Sequence, residues 1–347
     1  MRLLLVFGLF IMMNPILGSD IVFPGNEWQE VKDVSKHGFN PDKLAEAEKY
    51  SKTIDTAAVM VIKDGYLISQ WGDTKRKYLT HSTRKSFLSA LYGKYVESGV
   101  IDLDSTMEDL KIDDINKLSK EEKQATVRDA LKARTGIYHT AEAENDWMHG
   151  KKPERGSYRP GEFWVYNNWD FNVLGTIFEQ QTKQTVYEAL KNDLADPIGM
   201  QDYSIDDELP IDQGRSKYQA YMFVISARDM ARFGLLFLNN GKWKDKQVVP
   251  AKWVKESTRY HSDATYYRQD GYGYMWWTAR NTNKFPHIYN ATVPDGSYSA
   301  KGAGGHYIVV IPEMGLVVVH RVDTFARKDV RENDFGRLLQ KILDAQV

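Results

Sequence analysis

A mixed α/β (α+β) architecture is predicted by this sequence: an antiparallel sheet flanked by helices, with a helical lobe inserted between its strands. Three observations lead there. A β-hairpin pattern stands near the N terminus, a second pair of strand-like runs stands near the C terminus, and a long helical block separates them, with a further helical pattern at each end. No internal repeat, low-complexity tract or long linker interrupts the chain. One domain is therefore expected over residues 20–347, with the helical lobe at about 85–215.

The first residues, MRLLLVFGLFIMMNPILGSD, carry one cation, Arg2, then an apolar run from Leu3 to Met13, Pro15 and the small pair Gly18-Ser19. This is the pattern of a signal peptide over residues 1–19, because the apolar core is too short to span roughly 30 Å of hydrocarbon, with an uncleaved anchor or a buried helix as the alternative. No later stretch is long and apolar enough to cross a membrane. The expectation is a mature chain without an integral membrane segment, exported to the periplasm or secreted.

Asn40-Pro41-Asp42 opens a helix through Leu44, Ala47 and Tyr50, with proline where its missing N–H costs nothing. Ala57 to Ile62 and Tyr66 to Trp71 are apolar and β-branched runs around Lys63-Asp64-Gly65, and Asp-Gly is a strong hairpin-turn signal. His81 to Glu97 reads as a helix ended by Gly99. Further helices are expected at Val127 to Ala133, Asn168 to Thr182, Val186 to Leu194 and Ala227 to Asn239. Strands return at Tyr272 to Thr278, His306 to Ile311 and Leu316 to Val322, the last two joined by Pro312-Glu313-Met314-Gly315, and a helix from Asp329 to Ala345 closes the chain.

Composition narrows the function. In 347 residues, 46 basic side chains meet 47 acidic ones, so the net charge of -1 gives no general attraction to nucleic acid or anionic lipid. The 12% aromatic content argues against disorder, and the absence of cysteine removes disulfides, thiolate nucleophiles and Cys-based metal sites. The eight histidines are scattered without metal-ligand spacing, and no Gly-x-Ser-x-Gly elbow supports a Ser-His-Asp hydrolase. No metal or cofactor is expected. Asn290-Ala291-Thr292 is a glycosylation sequon, relevant only in a eukaryotic secretory host.

Three short segments carry chemistry. Ser82-Thr83-Arg84-Lys85 is a Ser-x-x-Lys motif at a predicted helix start, and residues three apart share a helical face, so a lysine amine can take the serine proton. The plainer alternative is Ser82 as a helix cap and Lys85 on a solvated face. Tyr166-Asn167-Asn168 sits on a loop entering a helix, where a phenol can relay a proton and an amide can orient the lysine or a carbonyl. Its alternative is an aromatic packed under a helix with Asn168 as cap. Ala300-Lys301-Gly302-Ala303-Gly304-Gly305-His306 leads into a strand, and glycines there allow close substrate approach and an N–H able to complete an oxyanion hole with that of Ser82, the alternative being a plain glycine loop.

In this order and spacing the segments resemble the serine β-lactamase and penicillin-binding-protein superfamily, specifically its class C-like branch of esterases, amidases and D-amino-acid peptidases. The likeness runs from Ala57 to the last helix and includes Gly99 to Asp104, Leu131 to Ile137, Pro160 to Gly175, Pro197 to Met200, Ser226 to Gly234 and Gly305 to Val319. The resemblance implies a β-lactamase-like fold, an acyl-enzyme on Ser82, Lys85 as its base partner, Tyr166 as proton relay, and Asn168, Gly302, Ala303 and Gly304 around the substrate and oxyanion. It implies a small-molecule or peptide-like amide or ester as substrate, with a true β-lactamase or D,D-peptidase, or an inactive binding protein on the same scaffold, as alternatives.

Where such enzymes carry Lys-Thr-Gly, the matching triplet here is Ala300-Lys301-Gly302, and strand alternation is expected to turn Lys301 away from the cleft unless the loop bulges. The glycine-rich run is similar to that of related esterases and aminohexanoate-oligomer hydrolases, with His306 where many have Gln. Tyr266, Tyr267, Tyr272, Tyr274, Trp276 and Trp277 either line an apolar cleft or pack as a buried strand.

Overall fold

The computed structural model describes residues 21–347 apart from residue 283. The expected signal segment lies outside the described residues. Within them, no helix is long and apolar enough to cross a membrane.

An eight-stranded antiparallel sheet organises the molecule. Its strands are β1 (Thr56–Lys63), β2 (Tyr66–Gly72), β3 (Ser262–Asp263), β4 (Gly271–Tyr272), β5 (Trp277–Thr278), β6 (Tyr298–Gly302), β7 (His306–Ile311) and β8 (Leu316–Val322), in the spatial order β2-β1-β8-β7-β6-β5-β4-β3. The Asp64-Gly65 turn between β1 and β2 has both residues at positive φ, 50° and 87°, as a type I′ hairpin requires. Gly65 has a second reason to lack a side chain, since a Cβ there would lie 1.6 Å from the Val22 carbonyl oxygen.

Both faces of the central strands are buried. Ala58, Met60 and Ile62 of β1 join one apolar cluster and Val59 and Val61 the other, the period-2 alternation of a strand covered on both sides. Helices α1 (Pro41–Ser51) and α5 (Glu332–Asp344) cover one face through Leu44, Ala47, Phe335, Leu338 and Ile342. Helices α2 (Arg84–Glu97) and α4 (Ala227–Leu238) cover the other, where Phe87, Phe233 and Leu236 meet Ile308, Val317 and Val319. Between them runs a largely helical stretch containing α3 (Asn168–Thr182), and Ala220–Ile225 pairs on either side with Tyr78–Leu79 and Glu208–Ile211.

Three local expectations need correction. The run Tyr272 to Thr278 is not one strand: β4 and β5 pair with each other, Tyr272 opposite Trp277, and the chain reverses between them with Gly273 N–H donating to the Trp276 carbonyl and Met275 at φ 60°. The alternation of aromatics there reflects turn residues pushed into the core. Ala300 to Gly302, which the sequence leaves outside its expected strands, belongs to β6, which β7 holds by pairing despite its weak strand propensity. The helix at Val186 keeps α geometry only to Ala189 and widens into a π-helical turn, Leu190–Ala195, ahead of Pro197, which has no N–H to give to the ladder.

Candidate active site

Ser82 stands in a single 3-10 turn, His81–Thr83, that leads into α2. The approach is fixed from several sides. Thr80 N–H and Oγ1 both donate to the Phe223 carbonyl, at 3.0 and 2.9 Å, and Thr83 Oγ1 donates to the Thr80 carbonyl at 2.7 Å. The buried Arg321 guanidinium donates to the carbonyls of Tyr78, Leu79 and Ile225 and, through Nε, to His306 Nδ1 at 3.0 Å, tying the chain before Ser82 to β7. His81, in the left-handed region at φ 46°, stacks on His306 with ring centroids 5.1 Å apart, and burial pushes its pKa down to about 4. Ser82 itself is not a cap: the residue preceding α2 is Thr83, and no side chain caps that terminus.

Lys85 lies one helical step beyond and is buried, its side chain reaching back to the serine. Its Nζ donates to Ser82 Oγ at 3.0 Å, to Tyr166 OH at 2.7 Å and to Asn168 Oδ1 at 2.9 Å. All three partners are uncharged. Burial drives the Lys85 pKa well below that of an ordinary lysine, and the neighbouring Arg84 cation pushes it further in the same direction. Tyr166 moves the other way, up to about 12, because burial outweighs the opposing hydrogen bond with Ser82 and the field of Arg84. At neutral pH the phenol keeps its proton and the amine is the group pressed to lose one.

The loop carrying Tyr166 and Asn168 is clamped by the Leu131 to Ile137 segment. Val165 N–H donates to the Ala133 carbonyl, Asn167 Nδ2 to the Ile137 carbonyl at 2.7 Å and to Asp170 Oδ1 at 2.8 Å, and Thr135 Oγ1 to Asp170 Oδ1 at 2.7 Å. Burial pushes the Asp170 carboxyl up to about 8 against those hydrogen bonds. Capping of α3 falls to Asn167, whose side chain accepts from Trp169 N–H, leaving Asn168 free to bond Lys85 and to donate to the Ala143 carbonyl at 2.7 Å.

Above Ser82 opens a cavity of about 450 Å³ whose walls include Tyr166, Trp147, Tyr267, Trp277, Gly302 and Ala303. Gly302 and Ala303 line the same cavity as Ser82, and Gly302 has to be glycine: a Cβ would lie 2.9 Å from the Thr80 carbonyl oxygen and 3.2 Å from Thr83 Cγ2. Gly304 is not part of the wall. It turns the chain at φ 82° and its carbonyl accepts from Val330 N–H. The aromatic run divides between its two readings, with Tyr267 and Trp277 facing the cavity while Tyr272, Tyr274 and Trp276 are buried in the core and Tyr266 is exposed.

Lys301 does not turn away. Its side chain lines the cavity, and its Nζ donates to Glu332 Oε1 at 2.8 Å, to Gln269 Oε1 at 2.6 Å and to the His287 carbonyl. Sequence reasoning missed Arg321, Gln269 and Glu332, and also the stacking of Trp277 on Tyr166 at 5.2 Å. None of these lies near the motif it serves, so no spacing signals it. Among the described residues, no group of three or more His, Asp and Glu is arranged to hold a metal ion.

Solved structures share this architecture. A Bacillus anthracis protein provisionally described as a 6-aminohexanoate-dimer hydrolase is similar with TM-score 0.64 at 19% identity, covering 86% of this chain and 80% of that one. A beta-lactamase from Mycobacterium bovis gives 0.59 at 20% identity, over 86% and 97%, and a penicillin-binding-protein homologue from Caulobacter crescentus gives 0.63 at 15%, over 89% and 99%. In sequence, an uncharacterized protein of Alkalihalophilus pseudofirmus is 22% identical over 316 residues, covering 80% of this chain and 87% of its own length. The beta-lactamase family profile matches residues 42–341, from the first turn of α1 to the last turn of α5, and on that match the chain belongs to the beta-lactamase family.

Proposed function

We propose that this protein is an exported serine hydrolase that cleaves an ester or amide through an acyl-enzyme on Ser82. The observation that carries the reading is the Lys85 amine, buried, 3.0 Å from Ser82 Oγ and surrounded by uncharged partners. A lysine so placed serves as a general base, which a serine needs because its own hydroxyl keeps its proton at neutral pH. Ser82 Oγ attacks the substrate carbonyl carbon as its proton passes to Lys85 Nζ, and the carbonyl π pair becomes the oxyanion. The main-chain N–H groups of Ser82 and Ala303 are the donors assigned to that oxyanion. The proton then moves from Lys85 through Tyr166 to the leaving oxygen or nitrogen as its bond to carbon breaks. Water, deprotonated by the same pair, attacks the ester carbonyl, and expulsion of Ser82 Oγ returns the free enzyme.

Intact-mass measurement after treatment with a fluorophosphonate, followed by peptide mapping, tests the reading. A single adduct on Ser82, absent in Ser82→Ala, is expected together with hydrolysis of p-nitrophenyl butyrate by the wild type alone. An adduct mapping elsewhere, or wild-type turnover by Ser82→Ala, would overturn it.

A further inference from the structure

We propose that Glu332 sets the charge selectivity of the cavity by holding the Lys301 ammonium in a closed ion pair, so that the site takes acyl substrates without a carboxylate. The proposal rests on the reading of Ser82 as the acylated residue and names the substrate class that this site favours.

The geometry is specific. In the register of β6 against β7, Lys301 stands opposite Tyr307 and Ala300 opposite Ile308. Ala300 packs with the cluster beneath α2, whereas Tyr307 packs with that beneath α5. Lys301 thus leaves the strand on the α5 side, at the strand's end, where it forms cavity wall rather than core. Glu332 comes from the first turn of α5 and meets it there.

An ammonium has three N–H donors, and all three are used, on Glu332 Oε1, Gln269 Oε1 and the His287 carbonyl. Glu332 Oε2 accepts in turn from Gln269 Nε2 at 2.9 Å. The pair is largely withdrawn from water, with side-chain exposures of 11% for Lys301 and 24% for Glu332. It presents a polar surface of zero net charge with no donor left over. A carboxylate entering beside it would shed its water and find no free cation, whereas a neutral group loses nothing comparable. The remaining charged side chain of the wall is Arg268, exposed at the mouth, where water and salt screen it.

Glu332→Gln keeps the shape of the side chain and removes the charge that cancels Lys301. Two readouts decide the matter. The first is the ratio of kcat/KM for mono-p-nitrophenyl glutarate and nitrocefin, both anionic, to that for p-nitrophenyl butyrate, which is neutral. It is expected to rise at least tenfold for at least one anionic substrate in Glu332→Gln, and to fall back to the wild-type ratio in the Lys301→Met/Glu332→Gln double variant. The second is calorimetric binding of phenylacetate, whose Kd is expected to fall at least tenfold in Glu332→Gln and to recover in the double variant.

An unchanged ratio and unchanged phenylacetate affinity overturn the proposal, as does a gain that survives in the double variant. Tight phenylacetate binding by the wild type, abolished by Arg268→Ala, overturns it equally. Retained turnover in Ser82→Ala would sink the Ser82 reading alone, because the calorimetric comparison decides the ion-pair proposal without catalysis.

Discussion

Two lysines withdrawn from water belong to the same site and are treated in opposite ways: Lys85 is buried beside Ser82, and Lys301 lines the cavity above it. Lys85 has three uncharged hydrogen-bond partners and a cationic neighbour, Arg84; Lys301 has three partners of which one, Glu332, is an anion. Burial lowers the pKa of both, but for Lys301 the Glu332 carboxylate pulls it back up, whereas for Lys85 nothing does. The difference teaches what a counter-ion decides. A buried amine without one is pressed toward the neutral, proton-accepting form, and a buried amine with one is held as a spent charge. Arg84 sharpens the contrast, since its own contacts are Asn172 Oδ1 at 2.9 Å and the Tyr221 ring at 4.9 Å, neither of them anionic.

The largest effect should come from removing the unpaired amine. Lys85→Ala is expected to lower kcat/KM for p-nitrophenyl butyrate by about 10³-fold, and Tyr166→Phe by a similar order, with the double variant far from additive because both act on one proton path. Small, additive losses would show that the two groups are only packed together.

Next in size is the exchange of environments. Asn168→Asp places a carboxylate where Lys85 now finds an amide oxygen, giving this lysine the kind of partner that Lys301 has. Its pKa should rise, so the neutral base exists only at higher pH. Activity at pH 7 is expected to drop by about 10²-fold and to recover as pH rises, moving the acid limb of the kcat/KM profile upward. A drop that is the same at every pH would mean lost geometry rather than a shifted proton.

A weaker perturbation is Arg84→Met, which removes the neighbouring cation and also raises the Lys85 pKa. The acid limb should move up by about 1 pH unit or less, as expected for a charge acting through space rather than in contact. An acid limb that stays in place would show that desolvation alone sets the lysine.

The smallest effect applies the same rule to an acid. Asp170 is buried, and its carboxyl holds its proton up to about 8, against 3.8 for an ordinary aspartate. Between those values the unfolded chain binds fewer protons than the folded one, so this group makes stability fall as pH rises from 4 to 8. In Asp170→Asn that contribution vanishes, and the decline in Tm between pH 5 and 8 should be shallower than in wild type. Parallel Tm curves for the two proteins would refute the assignment.

How much of this was legible beforehand follows from the reach of each interaction. Ser82 and Lys85 are one helical step apart, so the sequence spacing already implied contact, and the β-branched runs of β1, β7 and β8 could hardly be anything but strands. Tyr166 and Asn168 could be singled out by residue type on a loop entering a helix, but their assignment to the Ser82 site came through resemblance, because no spacing links them to Lys85. Glu332 and Gln269 were invisible because their meeting with Lys301 depends on where α5 and the turn before β4 come to rest. Arg321 was invisible for a related reason: in a strand of valines, a lone cation reads as an outward-facing residue, whereas here it is fully buried against five acceptors. The β6 strand was missed because its sequence is that of a flexible loop and its neighbours supply the order.

The pairing of β1 with β8 has a consequence for how the chain is made. Thr56 of β1 bonds His320 of β8 across 264 positions of sequence, so the middle of the sheet cannot close until nearly the whole polypeptide has been synthesised. Until then the β1–β2 hairpin displays Val59, Val61 and an unpaired edge to whatever surrounds it. Folding should accordingly be slow, governed by a late, long-range docking event, and vulnerable to self-association at high concentration.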